Sequence, residues 1–158
     1  MLGNLDAAER AFRASMEISP TFPANHRYLG QILLLRGQPE AALSEMQAVP
    51  ESDARDFGLA LAYHALGRKA DAAAALAREL RYGDLEGLNV AIIYAYRGER
   101  DQAFRWLEKA VALRDLALGH KFRDEPKLAP LRSDPRYTAL LRKMNLPTDP
   151  AAAGIPAQ

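Results

Sequence analysis

Apolar residues recur along most of this chain with the three- and four-residue spacing of a helix face. The clearest examples are pairs four residues apart: Leu29 and Leu33, Leu59 and Tyr63, Val90 and Tyr94. This spacing places both members of a pair on the same side of an α-helix. The pattern therefore predicts an all-α protein whose helices each bury one face.

A short motif, Gly-x-x-x-x-Ala, punctuates this pattern four times. Its glycines are 34, 30 and 31 residues apart: Gly3, Gly37, Gly67 and Gly98. Glycine adopts left-handed backbone at little cost, so each one is predicted to end a helix and turn the chain. Acids that favour a helix start follow three of them: Asp6, Glu40 and Asp101. The motif thus predicts a repeating helix–turn–helix unit.

A period near 34 residues with this motif resembles the tetratricopeptide repeat (TPR) family. The run Leu29-Gly30-x-x-Leu33 and its counterparts stand at the family's Leu-Gly-x-x-Tyr positions, and Pro20 closes the first repeat. The resemblance implies an all-α, right-handed α-α superhelix of such repeats with a C-terminal capping helix. It divides the chain into a half repeat at 1–22, repeats at 23–50, 51–83 and 84–114, a cap at 115–146 and a flexible tail at 147–158.

Two departures from the family pattern carry expectations of their own. The position of the family's large aromatic holds His26, Asp56 and Gly87, so each of these repeats is expected to pack less tightly at one end. The first repeat has its second helix alone, which predicts an uncovered face at Leu5 and Phe12. An uncovered apolar face favours self-association, here as a homodimer. The missing partner helix indicates a fragment, or an unusually short gene product, of a longer protein.

Charge and composition narrow the classes of partner. The chain has 21 Lys+Arg and 20 Asp+Glu, so no net field favours nucleic acid or an anionic membrane. It has no cysteine, which excludes disulfides and thiolate chemistry. The start of the chain has no basic segment followed by an apolar run, so a cytoplasmic location is the default expectation.

The sequence shows no recognisable catalytic or metal-binding motif. The three histidines, His26, His64 and His120, fall in separate predicted elements without a companion ligand. Neither a Gly-x-Ser-x-Gly elbow nor a phosphate-binding Gly-x-x-x-x-Gly-Lys loop occurs. We therefore expect no cofactor, no metal and no enzymatic activity.

In TPR arrays the first helices of the repeats line a concave groove, and the resemblance transfers this role residue by residue. The predicted groove residues are Arg27, Gln31, Leu34, Phe57, Leu61, His64, Leu88, Ile92 and Tyr96. Their mostly apolar character suits a peptide or a partner domain. The alternative is that residues 116–131, or an upstream domain, already fill the groove.

The last third of the chain resembles one subfamily more narrowly. The run from Ala95 to Ala110, followed by Pro130 to Tyr137, is similar to the C-terminal TPR region of large bacterial signalling proteins. Those proteins join such arrays to transcription regulators, nucleotide cyclases or serine/threonine kinases. Two functions follow as hypotheses: a protein–protein interaction scaffold, or the regulatory C-terminal segment of a larger enzyme or regulator.

Overall fold

All regular elements in the described part of the chain are helical. The computed structural model describes residues 2–82, 87–113, 122 and 125–148. The α-helices are α1 (Leu2–Ile18), α2 (Pro23–Leu35), α3 (Pro39–Ala48), α4 (Asp53–Ala65), α5 (Lys69–Glu79), α6 (Gly87–Tyr96), α7 (Arg100–Leu113) and α8 (Pro135–Lys143), with 3₁₀ segments at Leu80–Tyr82 and Pro126–Leu131. The all-α prediction is confirmed.

The chain forms two compact units, unit 1 (Met1–Leu80) and unit 2 (Arg81–Gln158). The pairs α2–α3, α4–α5 and α6–α7 fall in the predicted repeats 23–50, 51–83 and 84–114, and the members of each pair contact one another. Of the predicted cap, 115–121 and 123–124 lie outside the described residues, as do 149–158 of the predicted tail.

One backbone turn reverses the chain inside each helix pair. In the α2–α3 turn, Gln38 N–H donates to the Leu33 carbonyl at 2.9 Å and Gly37 N–H to the Leu34 carbonyl at 3.1 Å. These two bonds define a Schellman motif, which requires left-handed backbone at Gly37. The α4–α5 and α6–α7 turns repeat both bonds, and φ is +70° at Gly37, +69° at Gly67 and +79° at Gly98. The glycine-turn prediction is confirmed at these three positions.

The remaining motif glycine, Gly3, does not end a helix. It lies inside α1, which begins at Leu2, so the prediction of a turn there is wrong. Asp6 is accordingly displaced from the first turn of a helix and pairs with Arg36 at the end of α2 instead. Arg36 also contacts Glu9 at 3.0 Å, and these ion pairs help to hold α1 against α2.

The core of unit 1 is built around a methionine. Met46 of α3 is fully buried and contacts the glycine surfaces of α2 at Gly30 and of α4 at Gly58. A Cβ on Gly30 would lie 2.7 Å from Met46 Cε, closer than side chains approach one another. The two glycines therefore let three helices of unit 1 pack around one flexible thioether.

The positions of the missing family aromatic are better packed than their sequence indicates. His26 contacts Glu45 at 2.7 Å, and Arg78 Nε donates to Asp56 at 2.6 Å, so each polar residue ties its helix to the next helix of its pair. At Gly87 a Cβ would lie 3.1 Å from Ala110 Cβ, which marks a close approach of α6 and α7. The expectation of loose packing is wrong at Gly87, because a missing side chain has drawn the two backbones together.

Unit 2 continues past its helix pair into a capping element. The 3₁₀ segment Pro126–Leu131 packs against α6, and α8 packs against α7. Asp134 caps α8 by accepting from Arg136 N–H at 3.0 Å, with Pro135 at the first helical position. The Tyr137 hydroxyl donates to the Phe122 carbonyl at 3.0 Å, and the two rings stack at 4.8 Å.

Candidate protein-binding surface

The accessible part of unit 1's first helices is concentrated on one stripe of α2. Leu29 and Leu33 turn inward and are buried. Five other α2 residues that reach solvent follow helical spacing along one side of the helix: Ala24, Arg27, Tyr28, Gln31 and Leu35. We call these five residues the α2 stripe. It is the face of α2 that a partner can reach without displacing the core.

The stripe combines a cation, a ring, an amide and an aliphatic side chain. The Arg27 guanidinium lies 4.5 Å from the centre of the Tyr28 ring, within the range of a cation–π contact. Tyr28 is 38% exposed and Leu35 is 39% exposed. Arg27 and Gln31 bring donors that suit carboxylate or backbone carbonyl groups, and Tyr28 and Leu35 add apolar area.

Three residues of the α2 stripe, Ala24, Tyr28 and Leu35, are not among the nine groove residues predicted from the sequence, and Tyr28 is the largest of them. The family register places its neighbour Arg27 in the groove and does not include Tyr28. The signal was present, because a large ring one position after a groove residue and three before Gln31 falls on the same side of a helix.

The nine predicted groove residues divide between surface and core. Arg27, Gln31, His64 and Tyr96 are half-buried and reach solvent. The other five are buried: Leu34, Phe57 and Leu61 in unit 1, and Leu88 and Ile92 in unit 2. Those five side chains pack inside the protein, which corrects the expectation that they line an open apolar surface. A charge placed at Leu61 or Ile92 would test folding rather than binding.

In unit 2 the chain's own capping segment covers the first helix. The 3₁₀ segment Pro126–Leu131 packs on α6, and both Leu128 and Leu131 are fully buried. This packing favours the alternative that residues 116–131 occupy the groove. It concerns the part of that segment that the structure describes, which is residues 122 and 125–131. Tyr96, at the end of α6, keeps a partly exposed phenol, and burial raises its pKa above the ordinary value.

The residues predicted for self-association are half-buried. Phe12 stacks on Tyr28 with ring centres 5.3 Å apart and planes inclined by 23°. Leu5 is half-buried on the same helix, which packs against α2. The face at Phe12 is therefore covered in part by α2, and the homodimer stays a prediction.

A shallow pocket of about 220 Å³ lies between α7 and α8, lined by Glu108, Arg136, Ala139, Leu140 and Lys143. Arg136 is already engaged by Asp134 and Asp101, at 2.8 Å each, and lies over the Phe104 ring at 4.1 Å. This pocket is a by-product of that packing.

Across the described residues, no three His, Asp or Glu side chains are grouped to hold a metal, and no described helix is long and apolar enough to cross a membrane.

The class that this fold defines is a helix–turn–helix repeat protein, with repeated glycine turns and paired antiparallel helices. Residues 1–57, which contain α1 to α3 and the start of α4, match the sequence model of the tetratricopeptide repeat family. The matched stretch covers a little over a third of the 158 residues. Searches of curated proteins and of solved structures gave no match.

Proposed function

We propose that this chain is a protein–protein interaction module that binds a peptide segment or a partner domain through the α2 stripe. Repeats of the tetratricopeptide type suggest an interaction role, and the match over residues 1–57 includes all of α2. The observation that carries the proposal is the stripe itself, a continuous accessible face on a helix whose other sides are packed. The module binds without catalysing a reaction.

The experiment compares two double variants that remove the same residue types. Arg27→Ala/Gln31→Ala removes the guanidinium and the side-chain amide from the α2 stripe. Arg10→Ala/Gln47→Ala removes an exposed arginine from α1 and an exposed glutamine from α3. Peptides are selected from a displayed random library on the wild-type chain, and their dissociation constants are then measured for all three proteins.

We expect affinity to fall on the order of tenfold or more in the stripe variant, because buried polar anchors carry much of the energy of an interface. The control variant should bind as the wild type does. Selected peptides that bind all three proteins equally, or a failure to select any peptide, would contradict the proposal.

A finer form of the proposal is that the chain also pairs with itself through Leu5 and Phe12. Light scattering over a wide concentration range measures the mass directly. A dimer that dissociates on Leu5→Asp but not on Ala7→Asp, an exposed position of the same helix, supports the pairing. A monomer at every concentration removes it.

The second candidate function is a regulatory segment of a larger bacterial signalling enzyme or transcription regulator. It is supported by the resemblance of the runs 95–110 and 130–137, which supply most of α7 and the start of α8. The coding sequence immediately upstream decides it. A cyclase, kinase or winged-helix domain in the same reading frame supports this function, and a stop codon with an independent promoter contradicts it.

A further inference from the structure

Both ring nitrogens of His26 face hydrogen-bond acceptors. Nδ1 lies 2.7 Å from Glu45 Oε2 on α3, and Nε2 lies 2.9 Å from the Pro20 carbonyl in the α1–α2 turn. A neutral imidazole carries one N–H and can donate to only one of them. An imidazolium carries two and can satisfy both at once.

We propose that His26 is a proton-operated clip, which ties the α1–α2 turn to α3 when the ring is doubly protonated and releases one of the two ties when it is neutral. The proposal concerns the regulation of unit 1 by pH and is independent of which partner the α2 stripe binds. It stands on the identity of the two acceptors and their distances from the ring.

The turn that the clip holds has little apolar packing of its own. Its flanking side chains Ile18 and Phe22 are 85% and 55% exposed. Backbone bonds from Ser19 N–H to the Ser15 carbonyl at 2.9 Å and from Asn25 N–H to the Phe22 carbonyl at 3.0 Å join the turn to the helix ends. Within the turn there are Phe22 N–H to the Ser19 carbonyl at 3.2 Å and a long contact of 3.5 Å from the Asn25 side-chain amide to the same carbonyl. The side-chain bond from His26 Nε2 adds a tie at the Pro20 carbonyl, in a turn whose flanking side chains are exposed.

Of the charges on the elements packed against α2, Glu45 is the one that acts on the ring. The hydrogen bond to Glu45 raises the pKa of His26 above 6.5, burial opposes this, and the Pro20 carbonyl and the charge of Glu45 add to the rise. Asp6 and Glu9 of α1 are paired with Arg36, and Asp56 of α4 with Arg78. The remaining acids of α1 and α3 that lie toward solvent are Glu17 and Glu40.

Because the folded chain binds this proton more tightly than the unfolded chain, protonation stabilises the fold. The contribution is complete below the unfolded pKa of about 6.5. It disappears as the pH rises through the folded pKa. Release of the clip is thus a response to rising pH, and acidification closes it.

The test follows the His26 ring by NMR through a pH titration of the whole chain. The wild-type midpoint should lie above 6.5, both ring N–H protons should be observable at the acid end, and the amide shifts of residues 19–22 should move with the same midpoint. In Glu45→Gln the midpoint should fall toward 6.5. In Glu40→Gln, an exposed acid on the same helix, it should stay where it is in the wild type.

Thermal unfolding gives a second readout. The Tm advantage of the wild type over His26→Gln should shrink as the pH is raised from about 5.5 to about 8.5. A His26 midpoint at or below 6.5, or a Tm difference that is constant across that range, would overturn the proposal. If His26→Gln does not fold, the wild-type and Glu45→Gln titrations decide it alone.

Discussion

The side chain of Met46 fills the space that a side chain on Gly58 would occupy. A Cβ at Gly58 would lie 2.8 Å from Met46 Cγ and 2.9 Å from Met46 Cε, so it would clash with most of the Met46 side chain. Gly30, on the other neighbouring helix, faces the same side chain, and Met46 is fully buried. Because Met46 is fully buried, its thioether has no solvent-exposed surface to move onto.

We expect Gly58→Ala to destabilise the protein. Alanine gains about 0.5–1 kcal/mol over glycine in a helix interior. Overpacking a well-filled core costs about 1–3 kcal/mol, which exceeds that gain. Urea unfolding followed by circular dichroism measures the net change, and an unchanged or increased free energy of unfolding would show that the thioether can move aside.

The effect of Gly58→Ala should depend on Met46. Met46→Ala alone leaves a cavity and is expected to cost about 2–5 kcal/mol. In that background Gly58→Ala should become neutral or stabilising, because the clash is gone and the helix propensity remains. A double-mutant cycle by urea unfolding measures this coupling. Equal costs in both backgrounds would mean that the strain comes from elsewhere in α4.

Gly67 should be required for its backbone conformation alone. Its φ is +69° and nothing lies within 4 Å of an added Cβ, so a side chain there meets no neighbour. Left-handed backbone costs a residue with a Cβ about 1–2 kcal/mol, and asparagine tolerates it better than alanine does. Asn145, with φ +55°, already uses this option after α8. Melting temperatures should fall in the order Gly67, Gly67→Asn, Gly67→Ala, and an alanine variant as stable as the wild type would contradict this.

The pair of Asp56 and Arg78 should contribute more than an ordinary helix-start acid. Asp56 is 8% exposed and accepts from Arg78 Nε at 2.6 Å, but the arginine side chain is 40% exposed and can recover water. Asp56→Ala should therefore cost about 1–2 kcal/mol. The matched variant Asp53→Ala, in the same first turn, loses the helix-dipole contribution of about 0.3–1 kcal/mol. Chemical denaturation compares the two, and equal losses would show that the ion pair adds nothing.

The start of α8 should resist acid. Hydrogen bonds from the Arg136 side chain and backbone lower the pKa of Asp134 from 3.8 to about 2. Its stabilisation is fully present above the unfolded value of 3.8 and is lost as the pH falls through about 2. A carbon-detected titration of the Asp134 carboxyl group should give a midpoint near 2, and Asp134→Asn should keep the cap while removing the acid dependence. A midpoint near 3.8 would show that the contacts with Arg136 are not kept in solution.

The positions of the turns could be predicted from the sequence because a single residue type decides them. Gly37, Gly67 and Gly98 need left-handed backbone, and few residues other than glycine adopt it readily. Gly3 has the same motif and lies inside α1, so the motif alone could not distinguish a turn from the first turn of a helix.

The binding surface was harder to predict, because helical spacing identifies an apolar face without saying what covers it. Residues 56–62 of α4 are all buried, and apolar residues occur on every side of that helix. A helix that is apolar all round is a buried helix. That signal could have predicted Phe57 and Leu61 as core residues rather than groove residues. The covering of α6 by residues 126–131 has no comparable local signal, because it joins segments more than thirty residues apart.

The turns inside the helix pairs are made almost wholly by backbone groups. Neither Gln38 nor Arg68, at the start of α3 and α5, caps its helix with a side chain, and the same carbonyls and amides close both turns. Each helix pair therefore contains a complete turn of its own. A duplication of the gene segment for one pair would bring the turn inside that pair with it, so the turn within each added pair needs no new sequence.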